Sequence, residues 1–188
     1  MRRIIFQQFL SLDGLAADAE GSTQFFESPE YAAVSDEDLL ADMQQFDTIL
    51  LGANTYKLFV DYWPAATNDE QIVADKLNSI PKIVFSKTLK TAPWGKWPAA
   101  RVESGDAMEA VRQLKQQPGR SMVLWGSISL SQALMNARLI DEFHFRIVPV
   151  ILGKGRSNFD HTNNLDLTLT ETKQYGSGLI LLKYLLKA

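Results

Sequence analysis

The chain has no cysteine and only two histidines among its 188 residues. The lack of cysteine excludes disulfides, thiol catalysis and thiolate metal sites, and it excludes a small secreted scaffold held by disulfides. With so few histidines we predict no metal site. No basic run or basic-aromatic stripe occurs and the net charge is −3, so we expect no nucleic-acid partner.

Long hydrophobic runs are also missing. No apolar segment approaches the ~18 residues of a membrane-spanning helix. The N-terminal residues 1–6 are basic and then apolar, but Gln7 and Gln8 interrupt them before the length of a signal peptide is reached. We therefore expect a cytoplasmic protein with no membrane partner.

The remaining composition is that of a globular protein, with 46% hydrophobic and 22% charged residues. We find no linker and no repeat, so residues 1–188 are predicted to form a single domain. Strand-like and helix-like segments alternate until about residue 152, after which strands dominate. This order predicts an α/β fold with a mostly parallel mixed sheet and an antiparallel C-terminal hairpin.

The patterns predict the following elements. Strands are expected at 4–10, 48–51, 82–86, 100–103, 121–125 and 142–152, and the hairpin at 166–173 and 178–186. Helices are expected at 55–62, 69–78, 106–117 and 127–136, with a further one beginning at Ser35 in a pattern similar to a capping box. Loops are expected at 14–34 and 88–98.

Two short segments connect a predicted strand to a predicted helix through a glycine. They are Gly126-Ser127 and Gly52-Ala53-Asn54-Thr55. A helix N-terminus has unpaired N–H groups and a partial positive charge, so each segment is a candidate phosphate site. An ordinary turn with Ser127, Asn54 or Thr55 as the N-cap residue explains the same pattern. No G-x-G-x-x-G motif is present, so a Rossmann site is not indicated.

Five motifs in order carry a family resemblance. They are 11–14 (Ser-Leu-Asp-Gly), 51–56 (Leu-Gly-Ala-Asn-Thr-Tyr), 123–127 (Val-Leu-Trp-Gly-Ser), 139–142 (Leu-Ile-Asp-Glu) and 149–155 (Pro-Val-Ile-Leu-Gly-Lys-Gly). Together they resemble the dihydrofolate reductase-like family, in the branch similar to the reductase domain of the bifunctional riboflavin-biosynthesis deaminase/reductase. The resemblance implies a three-layer α/β/α fold.

The resemblance also implies NADPH as the cofactor. The residues that it assigns to cofactor binding are Phe9, Ala16, Gly52, Ala53, Asn54, Thr55, Ser86, Lys87, Gly126, Ser127, Ile128, Ser129 and Leu130. Two positions depart from the family pattern: Ala53 replaces an arginine that meets the adenosine part of NADPH, and Ile128 replaces a small residue. Lys87 is a substitute cation, so we expect a preference for NADPH over NADH.

The substrate implied by the resemblance is a small heterocycle, such as the pyrimidine 5-amino-6-(5-phosphoribosylamino)uracil or a pterin. Asp13, Phe26 and Trp63 are its candidate binding residues. Asp13 is equally explained as a turn residue, and the two aromatic residues as core. No catalytic residue or proton donor is identified, and His144 is interpreted as a histidine held within the sheet.

The sequence thus favours an NADPH-dependent oxidoreductase. The deaminase half of the bifunctional enzyme is absent from this sequence, since no zinc-ligating Cys/His set occurs. A non-catalytic nucleotide-binding or regulatory module on the same fold is the alternative, and Ala53 favours it. The resemblance further implies a homodimer, for which the apolar residues 179–186 are a candidate interface, although they are equally explained as core.

Overall fold

The computed structural model describes residues 1–187. The strands are β1 (Ile4–Ser11), β2 (Ala17–Asp18), β3 (Phe46–Gly52), β4 (Lys82–Phe85), β5 (Ala92–Trp94), β6 (Trp97–Glu103), β7 (Ser121–Trp125), β8 (Glu142–Val148), β9 (Gly155–Arg156), β10 (Leu167–Gln174) and β11 (Ile180–Leu186). The helices are α1 (Gln24–Glu27), α2 (Asp36–Asp42), α3 (Ala53–Val60), α4 (Ala74–Ser79), α5 (Ala107–Gln116) and α6 (Ile128–Asn136).

A nine-stranded sheet in the order β10-β11-β8-β1-β7-β3-β4-β6-β5 forms the middle layer. The six strands from β8 to β6 in this order are parallel, whereas β11 is antiparallel to β8 and to β10, and β5 is antiparallel to β6. The short strands β2 and β9 pair separately. The predicted mostly parallel mixed sheet with a C-terminal hairpin is confirmed.

Each face of the sheet has its own core. Phe6, Leu124 and Phe143 belong to a cluster that also holds residues of α5 and α6. The opposite face contributes Ile49 and Leu51 to a cluster with residues of α2, α3 and α4. These two clusters are the interfaces of the predicted three-layer arrangement. Alternation of side chains along each strand is what sends neighbouring residues to different cores.

Several predicted boundaries were wrong. Helix α4 begins at Ala74 rather than residue 69, because the Asn68 side chain binds the backbone N–H and the carboxylate of Asp75 at the helix start. The predicted loop 88–98 contains β5, which turns into β6 through Gly95 at φ +55°. Strand β8 ends at Val148, because Pro149 follows and has no N–H to continue the ladder.

The segment predicted as a loop at 14–34 contains β2, α1 and the start of a 3₁₀ turn, Ala33–Ser35. Helix α2 does follow Ser35, but the predicted cap was wrong, since the Ser35 side chain makes no capping hydrogen bond. Its hydroxyl oxygen instead accepts a 2.8 Å hydrogen bond from Arg146 Nε of β8.

Candidate functional site

The carboxyl ends of the parallel strands bring most of the predicted site residues to one edge of the sheet. In open α/β sheets ligands bind at this edge, where neighbouring strands connect to opposite sides. Strand β1 lies between β7 and β8 and is such a point, since β7 leads toward β3 and β8 toward the hairpin. The segments that follow β1, β3, β4 and β7 start at Leu12, Ala53, Ser86 and Gly126.

One side chain joins the two glycine turns. Ser127 Oγ accepts a 2.7 Å hydrogen bond from the backbone N–H of Gly52 and lies 3.0 Å from Thr55 Oγ1. A Cβ atom at Gly52 would lie 3.1 Å from Ser127 Oγ, and one at Gly126 would lie 3.2 Å from Thr55 Oγ1. The turns therefore approach each other closely enough to favour glycine at both positions.

The backbone of the second turn is left-handed at two successive residues. Gly126 has φ +55° and Ser127 has φ +64° with ψ +64°. A non-glycine residue in this region is strained by about 1–3 kcal/mol, and such strain concentrates at functional sites. The hydrogen bonds of Ser127 hold the strained conformation in place.

Helices α3 and α6 both begin at these turns without a side-chain cap. The N-cap residues are Gly52 and Ser127, and neither makes a side-chain capping hydrogen bond. The expectation that Asn54 or Thr55 caps α3 was wrong, and the Ser127 hydroxyl is used across the turns instead. The first-turn N–H groups of both helices thus stay available for an anion, which is the property that a dinucleotide pyrophosphate requires.

A buried amide faces the second turn. Gln8 of β1 donates from Nε2 to the carbonyl oxygen of Phe9 at 2.9 Å, whereas its Oε1 has no hydrogen-bond partner among residues 1–187. A Cβ atom at Gly126 would lie 3.8 Å from that oxygen. Gln8 was not predicted, and it adds an acceptor beside the anion-binding backbone.

The remaining cofactor candidates differ in how the structure places them. The Ser86 hydroxyl accepts from the N–H groups of Thr88 and Leu89, and Lys87 beside it is exposed. Ala53 begins α3, so no guanidinium stands there. Ile128 packs against the core cluster of Phe6, so its side chain is committed to the core. Ala16 is buried, and its N–H donates to the Arg156 carbonyl.

Asp13 joins two loops at the same edge. Its carboxylate accepts hydrogen bonds from the Ser11 hydroxyl at 2.7 Å and from the N–H groups of Leu152 and Gly153 at 3.1 and 2.7 Å. These hydrogen bonds, that of Ser11 first, lower the pKa of Asp13 to about 2. The geometry supports the interpretation as a turn residue, and substrate binding by Asp13 stays a prediction.

The two predicted aromatic residues of the substrate site lie in different clusters. Phe26 stacks on Phe9 with ring centroids 4.6 Å apart and an interplanar angle of 11°. Trp63 instead packs against Phe59 and Tyr62, at the edge of the core that α3 and α4 cover. Their roles in binding a substrate stay predictions.

A buried polar cluster under α2 was not predicted from the sequence. Arg146 is only 3% exposed, binds Ser35 through Nε, and has its guanidinium carbon 5.6 Å from the centre of the Phe9 ring. Its Nη2 has no hydrogen-bond partner within residues 1–187. Burial raises the pKa of the nearby Asp36 to about 6, against the opposing attraction of Arg146.

His144 lies beside this cluster, within the sheet as predicted. Its ring nitrogens lie 3.6 Å from an Asp42 oxygen and 3.4 Å from a Glu142 oxygen. Burial opposes its charge, but hydrogen bonds to these two carboxylates outweigh burial and raise the pKa of His144. Gln7 connects His144 to Trp125. Its Nε2 lies 3.3 Å from His144 Nδ1, and its Oε1 accepts a 2.7 Å hydrogen bond from Trp125 Nε1.

A signal for this cluster exists in the sequence of β8. The alternation Glu142-Phe143-His144-Phe145-Arg146 puts polar residues on one face of a strand that is paired on both sides. Such strands are normally apolar on both faces, so the alternation indicates a polar cluster.

The family is decided by a match that covers nearly the whole chain. The model of the RibD C-terminal domain matches residues 2–181. The chain belongs to the RibD C-terminal domain family. The predicted resemblance to the reductase branch of the dihydrofolate reductase-like family is thereby confirmed.

A curated relative is similar over nearly its whole length, and solved structures share the fold. The uncharacterized protein YyaP of Bacillus subtilis strain 168 is 30% identical over 97% of this chain and 94% of its own. A pyrimidine reductase-like protein from Corynebacterium diphtheriae has a TM-score of 0.70 at 17% identity, over 100% of this chain and 92% of its own. Dihydrofolate reductase from Enterococcus faecalis, complexed with NADP(H), has a TM-score of 0.62 at 11% identity, over 99% and 97%.

No helix within 1–187 is both long and apolar enough to span a bilayer. The same residues hold no group of three or more His, Cys, Asp or Glu side chains arranged for a metal ion.

Proposed function

We propose that this RibD C-terminal domain protein is an NADPH-dependent reductase that transfers hydride to a small heterocyclic substrate. The observation that carries the proposal is the pair of helix N-termini at Gly52 and Ser127, which lack side-chain caps and are joined through the Ser127 hydroxyl. This arrangement fits a pyrophosphate because two sets of N–H groups and two helix dipoles meet at one place.

The chain's own residues would bind and orient the dinucleotide. The backbone of residues 126–130 and of 52–55 would hold the phosphates, and Phe9 and Ala16 would border the nicotinamide with backbone atoms. When bound, NADPH supplies the hydride, so the protein needs to supply position and a water-poor cleft. The substrate that we favour is a pyrimidine of riboflavin biosynthesis, supported by the family and by the pyrimidine reductase-like neighbour.

Preference for NADPH over NADH is proposed to depend on Lys87, which is exposed after β4. A lysine provides a point charge for the 2′-phosphate, whereas an arginine at position 53 would provide a bidentate partner. The preference is therefore expected to be weaker than in relatives that keep the arginine.

Titration with NADPH and with NADH tests the proposal, read by quenching of tryptophan fluorescence. We expect micromolar NADPH binding and weaker NADH binding. Lys87→Ala should remove most of the preference, and Ala53→Arg should increase it by roughly 10-fold, as expected for one added charge-assisted hydrogen bond. Lys90→Ala, an exposed lysine in the same loop, is the matched control. Absence of binding to both dinucleotides would contradict the proposal.

A non-catalytic nucleotide-binding or regulatory module is the second candidate, and the alanine at position 53 favours it. The two functions separate in one assay. A reductase oxidises NADPH only when a pyrimidine or pterin substrate is added, whereas a binding module binds NADPH without oxidising it under any of these conditions.

We also propose a cytoplasmic homodimer. The half-buried side chains of β11 and the exposed Leu169 of β10 offer apolar surface at this end of the sheet. Light scattering at micromolar concentration checks the dimer, and Leu169→Lys should shift it toward the monomer.

A further inference from the structure

The guanidinium of Arg146 is buried with a donor unused. An arginine carries five N–H donors and stays charged, so it is found inside proteins where acceptors surround it. Here Nε donates to Ser35 Oγ, while Nη2 has no partner among residues 1–187. The carboxylates of Asp36, Asp38 and Asp42 offset the charge of Arg146, but Nη2 still lacks a hydrogen bond from the described residues, and a buried unpaired donor favours an added acceptor.

Arg146 and Phe9 are neighbours in the sheet, because β8 and β1 pair them in register. The guanidinium carbon of Arg146 therefore lies over the Phe9 ring, 5.6 Å from its centre. The other ring in this place is Phe26, stacked almost parallel to Phe9. A flat heteroaromatic ring can adopt the same stacked arrangement on Phe9.

Phe26 comes from a short helix that packs, only partly buried, against the cluster of Val148, Tyr175 and Leu179. Helix α1 has four residues, none of them buried, and its N-cap Thr23 makes no capping hydrogen bond. Phe25 packs edge-on against Phe26 from the same helix. Displacement of Phe26 from the Phe9 ring gives up this packing but breaks no strand pairing, since α1 is a four-residue helix outside the sheet.

Asp36 adds a complementary group. It is the first residue of α2, follows Ser35 directly, is 7% exposed, and interacts electrostatically with Arg146. Its carboxylate accepts hydrogen bonds, while Arg146 donates them. Arg146 thus offers a donor at the Phe9 ring, and Asp36 is an acceptor close enough to Arg146 to interact with its charge.

We propose that Arg146 selects the substrate: its Nη2 donates to a carbonyl oxygen in the plane of a flat heterocycle that replaces Phe26 on the ring of Phe9. The matching ligand class is a cyclic amide, with a C=O for Arg146 and an adjacent N–H for Asp36. This inference rests on the proposed function in taking the Phe9 ring as part of the substrate side. A ring without the carbonyl gains no hydrogen bond from Arg146 and therefore binds more weakly.

Fluorescent lumazine, a bicyclic ring with two carbonyl groups, is the probe, and quinoxaline, a bicyclic ring without them, is the control ligand. Both are titrated without NADPH, so failure here is distinct from failure to bind the dinucleotide. We expect Arg146→Met to weaken lumazine binding by roughly 10-fold or more, as for a lost charged hydrogen bond, and to leave quinoxaline binding unchanged. Arg101→Met, at an exposed arginine of β6, is the matched control. Equal weakening of both ligands, or no weakening of lumazine, overturns the proposal.

A second variant keeps the test decisive if Arg146→Met fails to fold. Phe26→Ala empties the face of Phe9 and leaves the buried cluster intact, so lumazine should bind several-fold more tightly. Unchanged or weaker binding overturns the exchange of rings. Diaminouracil, which has one ring and the same carbonyl groups, distinguishes a pyrimidine substrate from a bicyclic one, and Arg146 dependence with either supports the proposal.

Discussion

The two polar regions of the site differ in which atoms they present. At the carboxyl edge the groups are backbone N–H donors of α3 and α6, positioned by Gly52 and Ser127. Under α2 the groups are the side chains of Arg146 and Asp36. Backbone donors suit any phosphate, whereas a side-chain pair presents one pattern of hydrogen bonds. We infer that the edge determines that a dinucleotide binds and that the cluster determines what is reduced.

The largest effect on NADPH affinity is expected from Gly126→Val, which alters the backbone donors at the carboxyl edge. A side chain here meets Thr55 Oγ1 and requires φ +55°, so the phosphate groove is both filled and strained. We expect NADPH affinity to fall by about 100-fold or more. Gly178→Val is the control, because Gly178 in the β10–β11 turn also has a positive φ, +85°, and a Cβ atom there would meet Pro149 rather than either glycine turn. Melting curves of both variants separate lost binding from lost folding, and retained NADPH affinity in Gly126→Val would falsify the phosphate assignment.

Removal of the Ser127 hydroxyl should have an intermediate effect on stability and NADPH affinity. Ser127→Ala leaves the N–H of Gly52 without its acceptor, so the turns lose their connection. We expect about 1 kcal/mol lower stability and roughly 10-fold weaker NADPH binding. Ser79→Ala removes a serine hydrogen bond at the end of α4 and should leave NADPH binding unchanged. If both variants bind NADPH equally well, the connection between the turns is unimportant.

The smallest effect is expected for the cluster under α2, where the pH should change the stability of the fold through Asp36. Burial raises the pKa of Asp36 from 3.8 to about 6, so the folded protein holds a proton that the unfolded chain has released. The stability from this proton is complete below the unfolded pKa and is lost as the pH rises through about 6. Asp36→Asn should therefore stabilise the protein by about 1 kcal/mol above that pH, after allowance for solvent screening.

Thermal melts between about pH 7 and pH 4 check this expectation. The gain from Asp36→Asn should shrink as the pH is lowered, because Asp36 in the native protein is then already neutral. Glu37→Gln, at the exposed neighbour on α2, controls for the removal of a surface charge. A gain that is constant with pH would show that burial of the Asp36 charge is not its cause.

Much of the fold follows from local pattern. The apolar runs of β1, β3, β4 and β7 and the breaks after them predict the parallel strands, and the hairpin follows from alternation on each side of residues 175–178. The misplaced start of α4 has a local cause as well, since Asn68 competes for the N–H of Asp75. β5 was missed because its pairing with β6 depends on a turn within a segment rich in proline and tryptophan.

Within the site, too, the sequence predicts contacts between neighbouring residues but not those between distant residues. Turns such as Gly126-Ser127 combine neighbouring residues, so the sequence shows them directly. Arg146 and Ser35 are 111 residues apart and meet only because α2 crosses the face of β8. Spacing cannot reveal such a pair, although polar alternation along β8 shows that something polar must face it.

Asp13 has a consequence for motion at the site. Its carboxylate holds the amide protons of Leu152 and Gly153, and its low pKa keeps this contact ionised throughout the ordinary working range of pH. Hydrogen exchange at these two amides therefore reports how often the loops after β1 and β8 separate. Protection there that rises on addition of NADPH would show the loops closing as one unit around the dinucleotide.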